Sequence, residues 1–235
     1  MRPGPSDVGT ATLSDGMDDL ALLAHAELFS AFDAEALDAV VEAATTVAGE
    51  RGLVVFEEGD DADELYVVRT GRVAMGRRSP DGRETLVALM EPGDVFGDMP
   101  LFDGGTRSAS ARLLESSELL RVPYPTVRSA IGRRPELLWD VVALLTGRLR
   151  ATDSALADAV FLDVTGRTAK RLLELAGEAD EFVLPITQEE LAGLVGASRE
   201  RVNKAIAAFV RLGWIEQYDR RYRVVHRDRL EQRSR

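Results

Sequence analysis

Cysteine is absent from this chain of 235 residues, and histidine nearly so. The first absence excludes disulfides, thiolate nucleophiles and cysteine-ligated zinc or iron–sulfur centres. The only two histidines, His25 and His226, stand far apart, so no histidine cluster for a metal can be read from the sequence. Long apolar runs are missing too. None approaches the roughly 18 residues that a spanning helix needs, so no membrane partner is expected. The opening stretch, MRPGPSDVGTATLSDG, lacks the apolar core of a secretory leader and reads as a disordered tail over residues 1–16, with Met17 as a candidate start. A cytoplasmic protein is expected.

A surplus of basic charge is also lacking, since 29 Lys and Arg face 40 Asp and Glu for a net charge of −11. That average conceals an asymmetry. From Thr165 to Arg235 there are 14 bases and 11 acids, a net of +3, whereas the remainder carries 15 bases and 29 acids, a net of −14. From Arg199 onward the balance is 11 bases to 5 acids, a net of +6. Positive charge is therefore concentrated where a nucleic-acid surface could lie, with a solvated basic tail as the plain alternative.

What the chain does contain falls into three segments. Residues 17–44 have helical spacing with a break near Ser30 to Asp33. From Thr45 to Leu120, short β-type runs (LVVFEE, ELYVVRTGRVAMGRR, ETLVALM, SASARL, SSELLRV) alternate with the turn signals EEGDDAD, SPDGRE and EPGD. Such spacing predicts an antiparallel sandwich or barrel, a jelly roll. After the short helical piece YPTVRSAIGRRP, a long helix is expected over about Pro135 to Val160. Leu138, Val142, Leu145, Leu149, Thr152, Leu156 and Ala159 follow 4,3 spacing along it, a seam for pairing with a second copy or for packing on its own domain. FLDVTG resets the pattern. Thr165 is the expected N-cap of the next helix, Gly177 its stop, and the hinge is expected near Leu162 to Thr165.

TQEELAGLVGASRERVNKAIAAFVRLGWI carries the most information. Gln188 to Val195 reads as a short helix, Gly196 as a left-handed cap and Ser198 as the N-cap of a second helix. Two helices joined by a three-residue turn with glycine make a helix-turn-helix, against the alternative of an αα-hairpin with a solvated face. Val202, Ala205, Ile206 and Phe209 share one face of the second helix. Arg199, Glu200, Asn203 and Lys204 point elsewhere at its N-terminal end, where a recognition helix meets base edges. Arginine or lysine suits guanine O6/N7 and glutamate suits cytosine N4, while Arg201, Arg220 and Arg221 are better placed for phosphates. WIEQYDRRYRVV reads as a hairpin wing with Asp219 to Arg221 at its tip.

These residues resemble the cAMP receptor protein / FNR family of bacterial transcription regulators, from about Met17 to the C-terminus. FLDVTGR, TQEELAGLVGASRE and GWI are similar to that family's hinge, helix-turn-helix and wing entry, and VGASRERVNKA looks most like its actinobacterial members. The resemblance implies an α+β chain with a cyclic-nucleotide-binding jelly roll over 17–134, a dimerisation helix over 135–161 and a winged helix-turn-helix over 162–235. It also implies a palindromic TGTGA-like DNA operator read by the positions matching Arg199, Glu200 and Lys204, with Gln188, Ser198, Arg201 and Asn203 beside them. A second copy of the chain and RNA polymerase are the implied protein partners, and no prosthetic group is implied. Many members have arginine where Lys204 stands.

One further stretch, GDMPLFDGGTRSASA, is so rich in glycine and small residues that neither a packed strand nor a helix is expected across it. Backbone of this kind can approach an anion closely. By resemblance it is a phosphate cassette. Gly97 permits the approach, Arg107 pairs with a cyclic phosphate, Ser108 adds donors, Asp98 holds the ribose hydroxyl, and Met99 and Ala109 line the site. An anion needs such charged and backbone donors, and a sugar hydroxyl needs an acceptor. Two departures stand out. Asp98 replaces the glutamate of the cAMP-binding branch. Thr152 matches the adenine-contacting threonine, but Asp153 replaces the serine or asparagine after it, and a carboxylate cannot donate to a ring nitrogen. Arg150 to Asp153 also resembles the RxxD pattern that holds guanine in cyclic di-GMP receptors, although at i,i+3 on a helix it can equally be an internal ion pair. The expected effector is cAMP, with cyclic di-GMP or a constitutive regulator without a ligand as alternatives. A nucleotide touching both cassette and helix would bias the hinge and set the two recognition helices about 34 Å apart. An enzyme of the metal-dependent cupin type is excluded by the want of clustered histidines, and cysteine-based redox sensing by the want of cysteine.

Overall fold

The computed structural model describes residues 16–78 and 84–235, so residues 1–15 of the tail expected over 1–16 and the tip of the SPDGRE turn lie outside the described residues, while Gly16 already belongs to a helix. Two short helices open the described chain, α1 (Gly16–His25) and α2 (Ala34–Ala43). Asp33 caps α2 through an acceptor bond from Ala36 N–H at 2.9 Å. The break between the two is longer than expected, running from Ala26 to Asp33.

The strands follow: β1 (Thr45–Gly49), β2 (Val54–Phe56), β3 (Glu64–Thr70), β4 (Val73–Arg78), β5 (Glu84–Met90) and β6 (Val95–Phe96). After the short helix α3 (Met99–Asp103) come β7 (Ser110–Leu113) and β8 (Ser117–Pro123). They build two four-stranded sheets, β1-β8-β3-β6 and β2-β7-β4-β5, and every pair whose register is described is antiparallel. This is the expected jelly roll, with its strands crossing between sheets. The β2–β7 register shifts between Val54 and Phe56, as at a bulge. One apolar cluster, around Phe56, Val68, Met75, Ala111 and Leu119, lies between the sheets. A second joins Leu65, Val67, Leu120 and Val122 to the helices through Leu23, Phe29, Val40 and Val127.

α4 (Tyr124–Arg133) leads into α5 (Leu137–Phe161), the long helix. Leu137, Val141 and Leu144 are buried in the second cluster, which fixes the first turns of α5 on the jelly roll. The remaining elements are α6 (Val164–Ala176), β9 (Glu181–Val183), α7 (Gln188–Val195), α8 (Arg199–Arg211), β10 (Ile215–Tyr218), β11 (Arg221–Val224) and α9 (Arg227–Arg233). The strands form a three-stranded sheet, β10-β11-β9, in which the expected wing hairpin gains a third strand. The compact units divide within α5: one comprises residues up to Arg77 with Ala88–Arg148, the other Arg78–Val87 with Leu149–Arg235.

Two expectations are corrected. The cassette is not wholly irregular, because Met99–Asp103 forms one helical turn with Pro100 near its start and Gly104 closing it in the left-handed region at φ 69°. The N-cap of α6 is Asp163 rather than Thr165: its carboxylate accepts from Gly166 N–H at 2.8 Å, and Thr165 already lies within the helix. Phe29 is fully buried at the centre of the larger cluster, edge-on to Phe32 at 5.3 Å between ring centroids. Phe29→Ala is expected to cost about 3–5 kcal/mol, read as a lower midpoint of chemical denaturation; an unchanged midpoint would contradict the packing described.

Candidate functional site

Arg107 and Asp98 are the charged pair of the cassette, and both are buried, at 4% and 2% exposure. They do not meet each other; each has its own partners. The Arg107 guanidinium donates through Nη1 to the Gly97 carbonyl at 2.7 Å and to the Tyr124 hydroxyl at 3.3 Å. It lies over the Phe56 ring at 4.1 Å and beside the Tyr66 ring at 5.8 Å, both favourable positions for a cation. Phe96 stacks on Tyr66 and completes the aromatic wall. Burial raises the Tyr124 hydroxyl to about 12 despite the opposing charge of Arg107, so at neutral pH it keeps its proton and donates to the Gly97 carbonyl. Arg107 Nε has no hydrogen-bond partner, and the side chain forms no ion pair among the described residues.

The backbone holds this side chain in place. Arg107 N–H donates to the Asp60 carbonyl at 2.9 Å, and its own carbonyl accepts from Gly59 N–H at 2.8 Å. Ser110 Oγ joins the same loop by accepting from Glu58 N–H at 2.9 Å and donating to Glu57 at 2.8 Å. Gly97 has φ 74°, and a Cβ built there would stand 2.5 Å from Arg107 Nη1 and 3.3 Å from the Phe56 ring. Its first role is thus to leave room for the guanidinium. Ser108 and Met99 are exposed and meet at 3.3 Å, while Ala109 is buried beneath them. All six cassette residues singled out in the sequence are brought together.

Asp98 accepts from Arg148 Nη1 on α5, at 2.8 Å through one oxygen and 3.1 Å through the other. The sequence gives no sign of this pairing, nor of the parts taken by Tyr124, Phe56 and Tyr66. The carboxylate expected to meet a ribose hydroxyl is thus held by a cation from its own unit.

In the second unit, Arg150, Thr152 and Asp153 are exposed on α5, and Arg150 and Asp153 form no ion pair with each other or any other described residue. The seam positions Leu138, Val142, Leu145, Leu149, Thr152, Leu156 and Ala159 are all exposed, with Leu149 at 60% and Leu156 at 64%. The alternative in which this stripe packs on its own domain is therefore set aside: Leu137, Val141 and Leu144 do that instead.

The helix-turn-helix forms as read. Thr187 and Glu190 make a reciprocal capping box at the start of α7, Gly196 is left-handed at φ 67°, and Ser198 caps α8 by accepting from Arg201 N–H. Val202, Ala205, Ile206 and Phe209 are buried, leaving Arg199, Glu200, Arg201, Asn203 and Lys204 exposed on the opposite side. Gln188 differs from expectation. It is half-buried and donates to the Tyr222 hydroxyl at 2.7 Å, which ties α7 to the wing sheet. At the wing, Asp219 takes φ 56°, Arg220 donates to the Leu184 carbonyl at 2.9 Å and Arg221 pairs with Glu181 at 2.9 Å.

Comparison with known proteins bears on the family and the fold. Residues 47–134 match the family described as "Cyclic nucleotide-binding domain", and residues 166–233 match "Crp-like helix-turn-helix domain". A Mycobacterium tuberculosis protein named "CRP-like cAMP-activated global transcriptional regulator" is 41% identical over 226 residues, 93% of this chain and 100% of that protein. Among solved structures, FixK2 from Bradyrhizobium japonicum shares the fold at a TM-score of 0.75 and 23% identity, covering 82% of this chain and 98% of that one. The c-di-GMP-responsive global regulator CLP of Xanthomonas campestris aligns at a TM-score of 0.69 and 25% identity, covering 82% of this chain and 99% of that one.

Gly97→Ala is expected to displace the Arg107 guanidinium, since a Cβ at 2.5 Å must move something and the left-handed backbone penalises it further. Anionic-ligand affinity should fall at least about tenfold, measured by calorimetry, while circular dichroism stays native; unchanged affinity would show that Arg107 is not held by this approach.

Proposed function

The chain belongs to the cAMP receptor protein / FNR family of DNA-binding transcription regulators, and on that premise we propose that it is a homodimer whose binding to a palindromic TGTGA-like operator is set by cAMP. The observation that carries the effector site is Arg107, a buried cation with an unpartnered Nε and no ion pair among the described residues. A cyclic phosphate supplies the missing anion, and the exposed Ser108 supplies a hydroxyl and N–H beside it. The named activity of the mycobacterial relative supports cAMP among cyclic nucleotides. Thr152 and Asp153 read the base, the aspartate by accepting from the adenine amino group. Because Arg148 occupies Asp98, a ribose hydroxyl shares or displaces that bond.

Pairing of the exposed 138–159 stripe buries its apolar side chains and makes the dimer. Arg199, Glu200 and Lys204 read base edges, with Ser198, Arg201, Asn203, Arg220 and Arg221 toward the backbone of the duplex. The role first given to Gln188 is narrowed, since its side chain already binds Tyr222. RNA polymerase is the partner of the DNA-bound dimer, and the DNA target puts the protein in the cytoplasm. No residue is assigned a catalytic role.

A second reading has one observation in its favour: Arg150 and Asp153 are exposed and not paired with each other, so an RxxD guanine contact is open to them, and a cyclic dinucleotide is then the effector. Calorimetric titration of the whole protein with cAMP and with cyclic di-GMP separates the two. Micromolar cAMP binding at one site per protomer is expected and should vanish in Arg107→Ala. Binding of cyclic di-GMP alone would transfer the effector site to Arg150 and Asp153, and silence with both would make the protein a constitutive regulator. Lys204→Ala should weaken operator binding by about 1–3 kcal/mol while leaving random DNA nearly unaffected; equal losses on both would make Lys204 a phosphate contact.

A further inference from the structure

The chain passes from α5 to α6 through Leu162 and Asp163, and arginines of the second unit hold both residues. Arg167 donates through Nη1 to the Leu162 carbonyl at 2.7 Å and through Nε to the Val195 carbonyl at 2.9 Å. Val195 ends α7, one residue before the turn into α8, so a single guanidinium ties the junction to the helix-turn-helix. Asp163, while capping α6, accepts from Arg233 of the C-terminal helix α9 on both carboxylate oxygens. Gly166 fits closely beneath that contact: a Cβ there would meet the Arg233 carbonyl and Nη1 at 3.0 Å each. One turn further along α6, Lys170 pairs with Asp158 of α5.

Stability alone does not account for this arrangement. Asp163 is 64% exposed and Arg233 33% exposed, and ion pairs of that kind contribute little to folding free energy. Their effect is geometric. With Leu162 free to swivel, a displacement of α5 would be absorbed at the junction, and a ligand acting through α5 would lose its differential hold on α8.

We propose that Arg233 and Arg167 are positioning residues for DNA recognition, fastening the α5–α6 junction so that α8 follows the C-terminal half of α5 as one piece. The coupling part of this inference rests on the reading above that a nucleotide acts through α5. Neither arginine is assigned a DNA contact. The C-terminal helix thereby acquires a function beyond covering α6.

The test compares wild type, Arg233→Ala, Arg233→Lys and Asp163→Asn in the full chain. Asparagine caps a helix about as well as aspartate, so Asp163→Asn removes the charge pairing and keeps the cap. Affinity for a palindromic TGTGA duplex and for random duplex is measured with and without saturating cAMP, together with the salt dependence. The gain in operator affinity on adding cAMP is expected to fall about tenfold in Arg233→Ala and Asp163→Asn, with partial rescue in Arg233→Lys. The operator-to-random ratio falls with it, while cAMP affinity of the DNA-free protein and the salt slope stay at wild-type values. An unchanged gain and ratio in both variants would overturn the proposal. So would an equal loss on random DNA with a shallower salt slope, which marks a phosphate contact. If wild type shows no response to cAMP, it is the effector reading that fails, and the operator-to-random ratio alone then decides for or against the clamp.

Discussion

A buried guanidinium with no counterion among the described residues sets the terms for the cassette. Taking Arg107 out of water is costly unless its charge is answered, and one carbonyl, one hydroxyl and two aromatic faces answer it only in part. Around this one group the local backbone falls into place. Gly97 stays left-handed and bare to admit Nη1, Tyr124 stays protonated to share the Gly97 carbonyl, and the 57–60 loop exchanges backbone bonds with Arg107 itself. Asp98 follows Gly97 directly, yet its charge is matched by Arg148 rather than Arg107. The cassette therefore holds a cation whose charge Asp98 does not answer.

The long helix divides its work by face. Leu137, Val141 and Leu144 anchor its first turns in the core, and the neighbouring stripe through Leu138, Val142, Leu145 and Leu149 is left uncovered. At its far end, α6 begins under the Asp163 cap, and the helix-turn-helix is held together by local means: a capping box, a left-handed glycine and a serine cap within a dozen residues. α8 then buries four apolar side chains and turns a charged face to solvent.

Those short-range devices are why the second unit was readable in the sequence. Caps and turns involve residues three or four apart, so their spacing is visible in a single line of text. The α6 cap was misread because DVTG offers two capping residues two positions apart, and only the chain's path chooses Asp163. The one-turn helix at Met99–Asp103 had its signals as well, a proline in its first turn and a glycine after its last, but the surrounding glycines obscured them. The partners of the cassette were not legible. Arg148 lies 50 positions from Asp98 and Tyr124 lies 27 from Gly97, and nothing in local pattern links residues that only sheet topology brings together. Gln188 stood among the expected DNA contacts, and its bond to Tyr222, 34 positions away, was not legible in the sequence.

The proposed effector site stands or falls on whether the charge of Arg107 is what the ligand answers. The direct measurement is calorimetric titration of the wild-type protein with cAMP and, in parallel, with adenosine, which keeps the base and sugar and lacks the phosphate. A charge-assisted contact to the phosphate predicts that adenosine binds about a hundredfold more weakly than cAMP, equivalent to roughly 2.7 kcal/mol. Equal affinities would contradict it, because a ligand held without its phosphate leaves the buried guanidinium with nothing to recognise.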